Sequence, residues 1–171
     1  MIIITGASEL YGSAFIKKLT TEEYGDIVTA DTDLRDDMEN KRISARLRLD
    51  DLPQWIKDNQ LYVQFIFCLS EKSDLDYIQK LWRLSIEYGL PFVYTFSSDE
   101  SINNFNNWIQ QQERQPYFWA GVKLSKTAPE EAAEVLYFLM HNRKDSGIYD
   151  LAPPAKKLKD GGFQKIGRAH V

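Results

Sequence analysis

Apolar residues along this chain come in short unbroken runs, separated by longer stretches in which they recur every three or four positions. The runs are Ile2 to Ile4, Ile27 to Ala30, Val63 to Leu69, Leu90 to Phe96, Tyr117 to Leu124 and Ser146 to Leu151. A strand covered on both faces reads as continuous apolar sequence rather than as an alternation. Between the runs the spacing is helical. Ser13–Leu19 carries Ala14, Phe15, Ile16 and Leu19 on one side. Asp50-Asp51-Leu52-Pro53 starts a short helix bearing Trp55 and Ile56, since proline suits a first turn. Ser73 can cap a helix with Leu75, Ile78, Leu81, Trp82 and Ile86 inward, and Gly89 is placed to stop it. Phe105, Trp108 and Ile109 predict a helix over Asn103–Gln112, and Pro129 opens a last one carrying Ala132, Ala133, Val135, Leu136 and Leu139. Residues 33–48 are charged and irregular, and read as a loop or short elements around a degraded third strand. Strands alternating with helices predict a parallel sheet with right-handed crossovers.

The first strand runs straight into Thr5-Gly6-Ala7-Ser8-Glu9-Leu10-Tyr11-Gly12. This strand–glycine turn–helix unit matches the entry to a dinucleotide-binding fold. The expected class is therefore α/β: a Rossmann-like doubly wound parallel sheet with flanking helices, truncated. In such a turn the first glycine permits the tight bend, the second lets backbone approach a pyrophosphate, and the third lets helix and strand pack closely. Phosphate then meets the free N–H groups and dipole of a helix N-terminus. Gly6 and Gly12 hold the outer positions, but Glu9 stands where the middle glycine belongs. Its Cβ crowds a ligand there and its carboxylate repels phosphate. Asp31, ending the second strand at the expected spacing, can hold a ribose hydroxyl; Asp33 is a second candidate. The cofactor so implied is NAD or NADP, bound through Gly6, Ser8, Glu9, Leu10, Tyr11, Gly12 and Asp31. The bland alternative is an ordinary strand–turn–helix with a chance pair of glycines.

Composition narrows the function. A chain of 171 residues with 43% hydrophobic and 13% aromatic residues suggests one domain with a filled core. It contains no apolar run long enough for a transmembrane helix and no signal-peptide pattern at its start. Cys68 is the single cysteine, expected as an inert core thiol, and with two histidines no zinc site can be assembled. The formal charge of −4 without a basic stripe argues against nucleic acid. These features fit a cytoplasmic protein with no membrane partner. Residues 1–152 read as the domain. Pro153-Pro154 marks its end, and 153–171 reads as a disordered tail. Within it, Lys165 to Val171 ends in IGRAHV, which reads as a translated sequencing adapter; setting it aside removes Lys165 and Arg168 and leaves His141 as the one histidine.

Five stretches together resemble the NAD-dependent epimerase/dehydratase group of extended short-chain dehydrogenases/reductases. They are IIITGASELYGSAFIKKL, VQFIFCLSEKSDLDY, IEYGLPFVYTFSS, NNWIQQQERQPYFWAGVKL and VLYFLMHNRKDSGIYDLA, in the family's order. The resemblance implies transient oxidation of a sugar carbon by tightly held NAD(P), with hydride returned to the other face, on a nucleotide sugar and often in a homo-oligomer. It places Asp50 and Asp51 near adenine, Leu69 in the cofactor site, and Ser97 at the position of the catalytic serine. Family chemistry also needs Tyr-x-x-x-Lys on one helix face, because positions i and i+4 lie side by side. None of the nine tyrosines is followed four residues later by lysine. The block for that pair is absent between Ser98 and Asn103, and a substrate-site block is absent between Leu124 and Pro129. Ser97 alone can donate a hydrogen bond but cannot exchange a proton near neutral pH; serine at a strand end is also ordinary turn chemistry. Likewise Asp50 and Asp51 can be caps, Phe118, Trp108 and Trp119 core, and Lys123 and Lys126 solvated. Two expectations follow: a family enzyme that is catalytically defective as written, or a non-catalytic remnant with weak nucleotide binding or a protein-contact role.

Overall fold

The structure is a computed structural model, described over residues 1–34, 40–70, 74–124 and 127–150, with the backbone alone of 165–168. It sets β1 (Ile2–Thr5), α1 (Leu10–Thr21), β2 (Ile27–Asp31), β3 (Ile43–Arg48), α2 (Leu52–Asn59) and β4 (Phe65–Cys68) in succession. Then come α3 (Leu75–Tyr88), β5 (Phe92–Phe96), α4 (Asp99–Gln110), β6 (Trp119–Lys123), α5 (Pro129–His141), β7 (Gly147–Asp150) and β8 (Lys165–Arg168). The sheet order is β3-β2-β1-β4-β5-β6-β7-β8. Seven strands run parallel; β8 pairs antiparallel with β7. The strand order reverses between β1 and β4, the switch point at which open α/β sheets bind ligands.

Period-2 side-chain direction divides each strand between two cores. Ile2, Ile4, Phe65, Phe67 and Val93 join Phe15, Leu19, Leu136 and Leu139 beneath α1 and α5. Ile3, Ile66, Phe92, Tyr94 and Phe96 join Ile56, Leu81, Trp82, Phe105 and Ile109 beneath α2, α3 and α4. Trp82 centres the second core, with ring centroids 5.3 Å from Trp119, 5.4 Å from Phe105, 5.8 Å from Trp108 and 6.1 Å from Phe92. On β6, Gly121 pairs with Tyr94, and an added Cβ would lie 2.7 Å from the Tyr94 hydroxyl and 2.8 Å from the Phe96 ring. The glycine is what lets both rings lie across the neighbouring strand.

The helices begin and end where local chemistry directs. Ser73 lies outside the described residues, and the α3 cap is Asp74, whose Oδ1 accepts the Tyr77 N–H at 2.8 Å. Gly89 ends α3 at φ +65°, a left-handed conformation that disfavours other residues. Helix α4 starts four residues earlier than the apolar spacing predicts. Ser98 accepts the Ser101 N–H, and Asp99 and Glu100 follow in the first turn, where the helix dipole favours negative charge. The charged stretch read as a loop or short elements around a degraded strand contains an edge strand, β3, paired parallel with β2 across a one-residue register shift between Ile27 and Val28. The segment beyond Pro154, set apart as a tail, contributes the backbone of β8. A terminal strand such as β7 exposes a row of unpaired backbone groups that an extended segment can satisfy.

Because Trp82 joins α3, α4, β5 and β6, Trp82→Ala is expected to destabilise the fold by about 3–5 kcal/mol in chemical denaturation. A loss below about 1 kcal/mol would show that this cluster does not hold the second core together.

Candidate functional site

The site lies along the C-terminal ends of β1, β2, β4, β5 and β6. It starts at the β1–α1 turn. Gly6 has φ +73°, which glycine adopts without cost and other residues do not. A Cβ built on Gly12 would overlap the Gly6 carbonyl oxygen. The outer glycines thus do what their spacing predicts: one bends the chain and the other brings α1 against the turn. Thr5 fixes the adjacent loop. Its buried hydroxyl accepts the N–H groups of Leu69 and Ser70 at 3.0 and 3.1 Å, holding the end of β4 beside the turn. Tyr11 ties the turn to the far side of the site by donating to the carbonyls of Thr127 at 3.0 Å and Leu124 at 3.4 Å.

The turn's backbone has the strand–glycine–helix geometry that its spacing predicts, and two of its side chains lie over the bend or along its edge. The Glu9 carboxylate reaches back over the bend, with Oε2 2.6 Å from where a Gly6 Cβ would stand. That is the space through which a pyrophosphate would approach. Asp31, ending β2, accepts both the Ser8 N–H at 3.2 Å and the Ser8 hydroxyl at 3.0 Å on its Oδ1. Oδ2 takes neither bond and remains suited to a ribose hydroxyl. The glycines and Asp31 thus stand where the sequence pattern expects them, and the Glu9 carboxylate lies over the bend.

The remaining predicted residues divide. Leu10 is exposed at the start of α1. The Leu69 side chain is buried in the core beneath α1 and α5, so only its backbone faces the loop. Asp50 is exposed in the single turn after β3, and the neighbouring Leu49 carbonyl accepts the Tyr77 hydroxyl at 2.7 Å. Asp33 is exposed and takes no part in the turn's hydrogen bonds. Ser97 follows β5 and lines a cleft of about 280 Å³ between the ends of β4 and β5 and the helices α3 and α4. The capping role open to a serine here is filled by Ser98, and Ser97 is among the residues lining the cleft.

No acid–base pair accompanies Ser97 among the described residues. Two tyrosines line the cleft. Tyr11 has its hydroxyl committed to two carbonyls, and Tyr94 is wholly buried, which pushes its phenol well above the ordinary range. The lysine at the end of β6, Lys123, is bound to Asp99 at 2.6 Å, which raises its pKa and holds its charge on α4. Beside Ser97, α4 presents Ser101 and Asn104 to the cleft. Those two, with Asp74 and Tyr94, were not singled out in the sequence; only the i, i+3 spacing of Ser101 and Asn104 could have signalled them.

No protein-family profile matches the chain. A curated relative does: ADP-L-glycero-D-manno-heptose-6-epimerase of Fusobacterium nucleatum subsp. nucleatum, 24% identical over 218 aligned residues, covering 94% of this chain. The likeness to the epimerase/dehydratase group holds. The chain spans 65% of that relative's length, and the aligned stretch is longer than the chain itself, so the relative carries residues with no counterpart here. Solved structures agree on the fold. UDP-glucose 4-epimerase from Thermus thermophilus, in complex with NAD, superposes with a TM-score of 0.61 at 8% identity, covering 88% of this chain and 76% of that one. A short chain dehydrogenase/reductase family oxidoreductase from Brucella ovis, with a partially ordered NAD, gives a TM-score of 0.51 at 8% identity, covering 87% and 96%. The epimerase/dehydratase likeness thus combines a Rossmann-like sheet with the glycine turn, but not with the paired tyrosine and lysine.

Gly12→Ala is expected to force α1 away from the turn and destabilise the protein by about 3 kcal/mol, the upper end of overpacking costs. Thermal denaturation within about 2 °C of the parent chain would overturn the close-packing role assigned to Gly12.

Proposed function

We propose that this chain is an NAD(P)-type member of the sugar-nucleotide epimerase/dehydratase group, akin to the heptose epimerase it resembles, and is catalytically silent as written. The observation that carries this reading is the cleft itself. It keeps a serine at the end of β5, yet the neighbouring α4 offers it a serine and an asparagine, and no described lining residue supplies a Tyr-x-x-x-Lys pair. A proton must leave a sugar hydroxyl as hydride departs, and general acid–base catalysis needs a group whose pKa lies near the working pH. A committed Tyr11, a buried Tyr94 and an Asp99-bound Lys123 do not supply one. The cofactor would supply the hydride chemistry. Gly6, Gly12 and Asp31 are the residues that would hold it. Ser97 is left to orient a substrate hydroxyl.

A second reading has its own support. Glu9 over the bend and Ser8 on Asp31 fill part of the cofactor's place with the chain's own groups. On this reading the domain binds dinucleotide weakly or not at all.

Purified protein supplied with NAD(P) and a nucleotide-activated heptose is expected to give no epimer; product above the enzyme-free control would refute catalytic silence. Glu9→Gly is expected to tighten NADH or NADPH binding roughly tenfold, equivalent to about 1.4 kcal/mol, by removing a carboxylate from the phosphate path. Titration by nucleotide fluorescence tests this, and equal affinities for the two proteins would sink it.

A further inference from the structure

Helices α1 and α5 lie side by side over one face of the sheet, and their outer surface carries charges that the described fold does not pair. Two contacts fix their alignment. The Tyr11 hydroxyl donates to the Thr127 carbonyl at 3.0 Å, and Lys18 Nζ lies 2.9 Å from Glu134 Oε1. The same offset along the chain separates both pairs, so the two helices run parallel and level with each other. Their charges are segregated. Helix α1 holds Lys17 and Lys18 and no acid, whereas α5 holds Glu130, Glu131 and Glu134 and no lysine or arginine. Lys18 and Glu134 bind each other; Lys17, Glu130 and Glu131 are exposed and form no ion pair among the described residues. Between the helices runs a groove of about 390 Å³, with Leu10, Ala14, Pro129 and Ala133 as its apolar strip, Lys17 on one wall and Glu130 on the other. Leu10 is 66% exposed there, and the two alanines leave room for another backbone to approach. Apolar strips rimmed by polar groups mark interaction sites.

We propose that this face pairs two copies of the chain about a twofold axis running along the groove. A basic wall beside an acidic wall is complemented by its own image. Rotation about an axis parallel to the helices lays α1 of each copy over α5 of the other at the same level. Lys17 then stands within about one helical turn of the partner's Glu130, and symmetry makes each such pair twice. Leu10 comes over the first turn of the facing α5, while Ala14 and Ala133 keep the backbones close. Other occupants match less of the surface. A nucleic acid or an acidic protein is repelled by the glutamates of α5, and a basic protein by the lysines of α1. The pairing uses neither the cleft nor a bound nucleotide, so it does not rest on the epimerase reading.

The test is sedimentation velocity of the full chain, without nucleotide, at concentrations from about 1 to about 200 μM. A dimer with a dissociation constant in the micromolar range is expected. Lys17→Glu sets like charges opposite each other at two symmetric places, and is expected to weaken the dimer roughly tenfold or more. Lys17→Glu combined with Glu130→Lys restores opposite signs across the axis, and is expected to return the dissociation constant to within about threefold of the parent chain. Both positions are exposed, so the single and double variants are expected to unfold within about 2 °C of the parent, which separates lost pairing from lost folding. A monomer at the highest concentration would overturn the proposal and leave the groove to a different occupant. A dimer unmoved by Lys17→Glu, or a double variant no tighter than the single one, would overturn it equally.

Discussion

Everything above the sheet depends on how closely α1 can approach the end of β1. That distance is set by two missing side chains. Gly12 sits against the Gly6 carbonyl, and Gly6 turns through a left-handed conformation that carries α1 onto the sheet. From this contact follow the direction of α1, its packing with α5 over Phe15, Leu19, Leu136 and Leu139, and the position of Tyr11. The glycine pair is thus retained by packing whether or not a nucleotide occupies the turn. A glycine signature reports geometry first and ligand second, and Glu9 shows how the two can part.

The other face of the sheet is organised by a different use of volume. Trp82, Phe92, Tyr94, Phe105, Trp108 and Trp119 fill the space under α3 and α4, and Gly121 opens room for Tyr94 and for the adjacent Phe96. Dense aromatic packing beside a strand end yields a rigid floor, which suits a recognition cleft better than one bordered by flexible side chains. The missing catalytic pair does not leave the cleft unformed. Helix α4 still reaches the end of β5 because Ser98 and the acidic first turn nucleate it there.

Most of the sheet was legible from the sequence because its strands are buried on both faces and so appear as unbroken apolar runs. The edge strand was not. Ile43, Ala45 and Leu47 alternate with Ser44, Arg46 and Arg48, a period-2 signal, yet the charged residues around it resemble a loop. The start of α4 was missed for a related reason: Asp99, Glu100 and Ser101 carry no apolar period, and only the Ser98 cap marks the boundary. At the strand ends, the sequence singled out the glycine turn, Asp31 and Ser97 by their spacing. It could not tell that Ser8 would bond Asp31 or that the Tyr94 hydroxyl would be buried without a partner among the described residues, since both depend on residues brought together across the sheet.

The Tyr11 hydroxyl carries a kinetic consequence. Its acceptors, Leu124 and Thr127, lie 113 and 116 positions along the chain, so this bond closes one of the longest loops in the molecule. Contacts of such separation form late, because the entropy of closing the loop is lost before the bond returns anything. During synthesis the glycine turn would be held first by Asp31 and then by the end of β4, while the Tyr11 tie would wait until β6 and the residues after it had emerged and docked. The two sides of the site would then be fastened to each other only after each had formed.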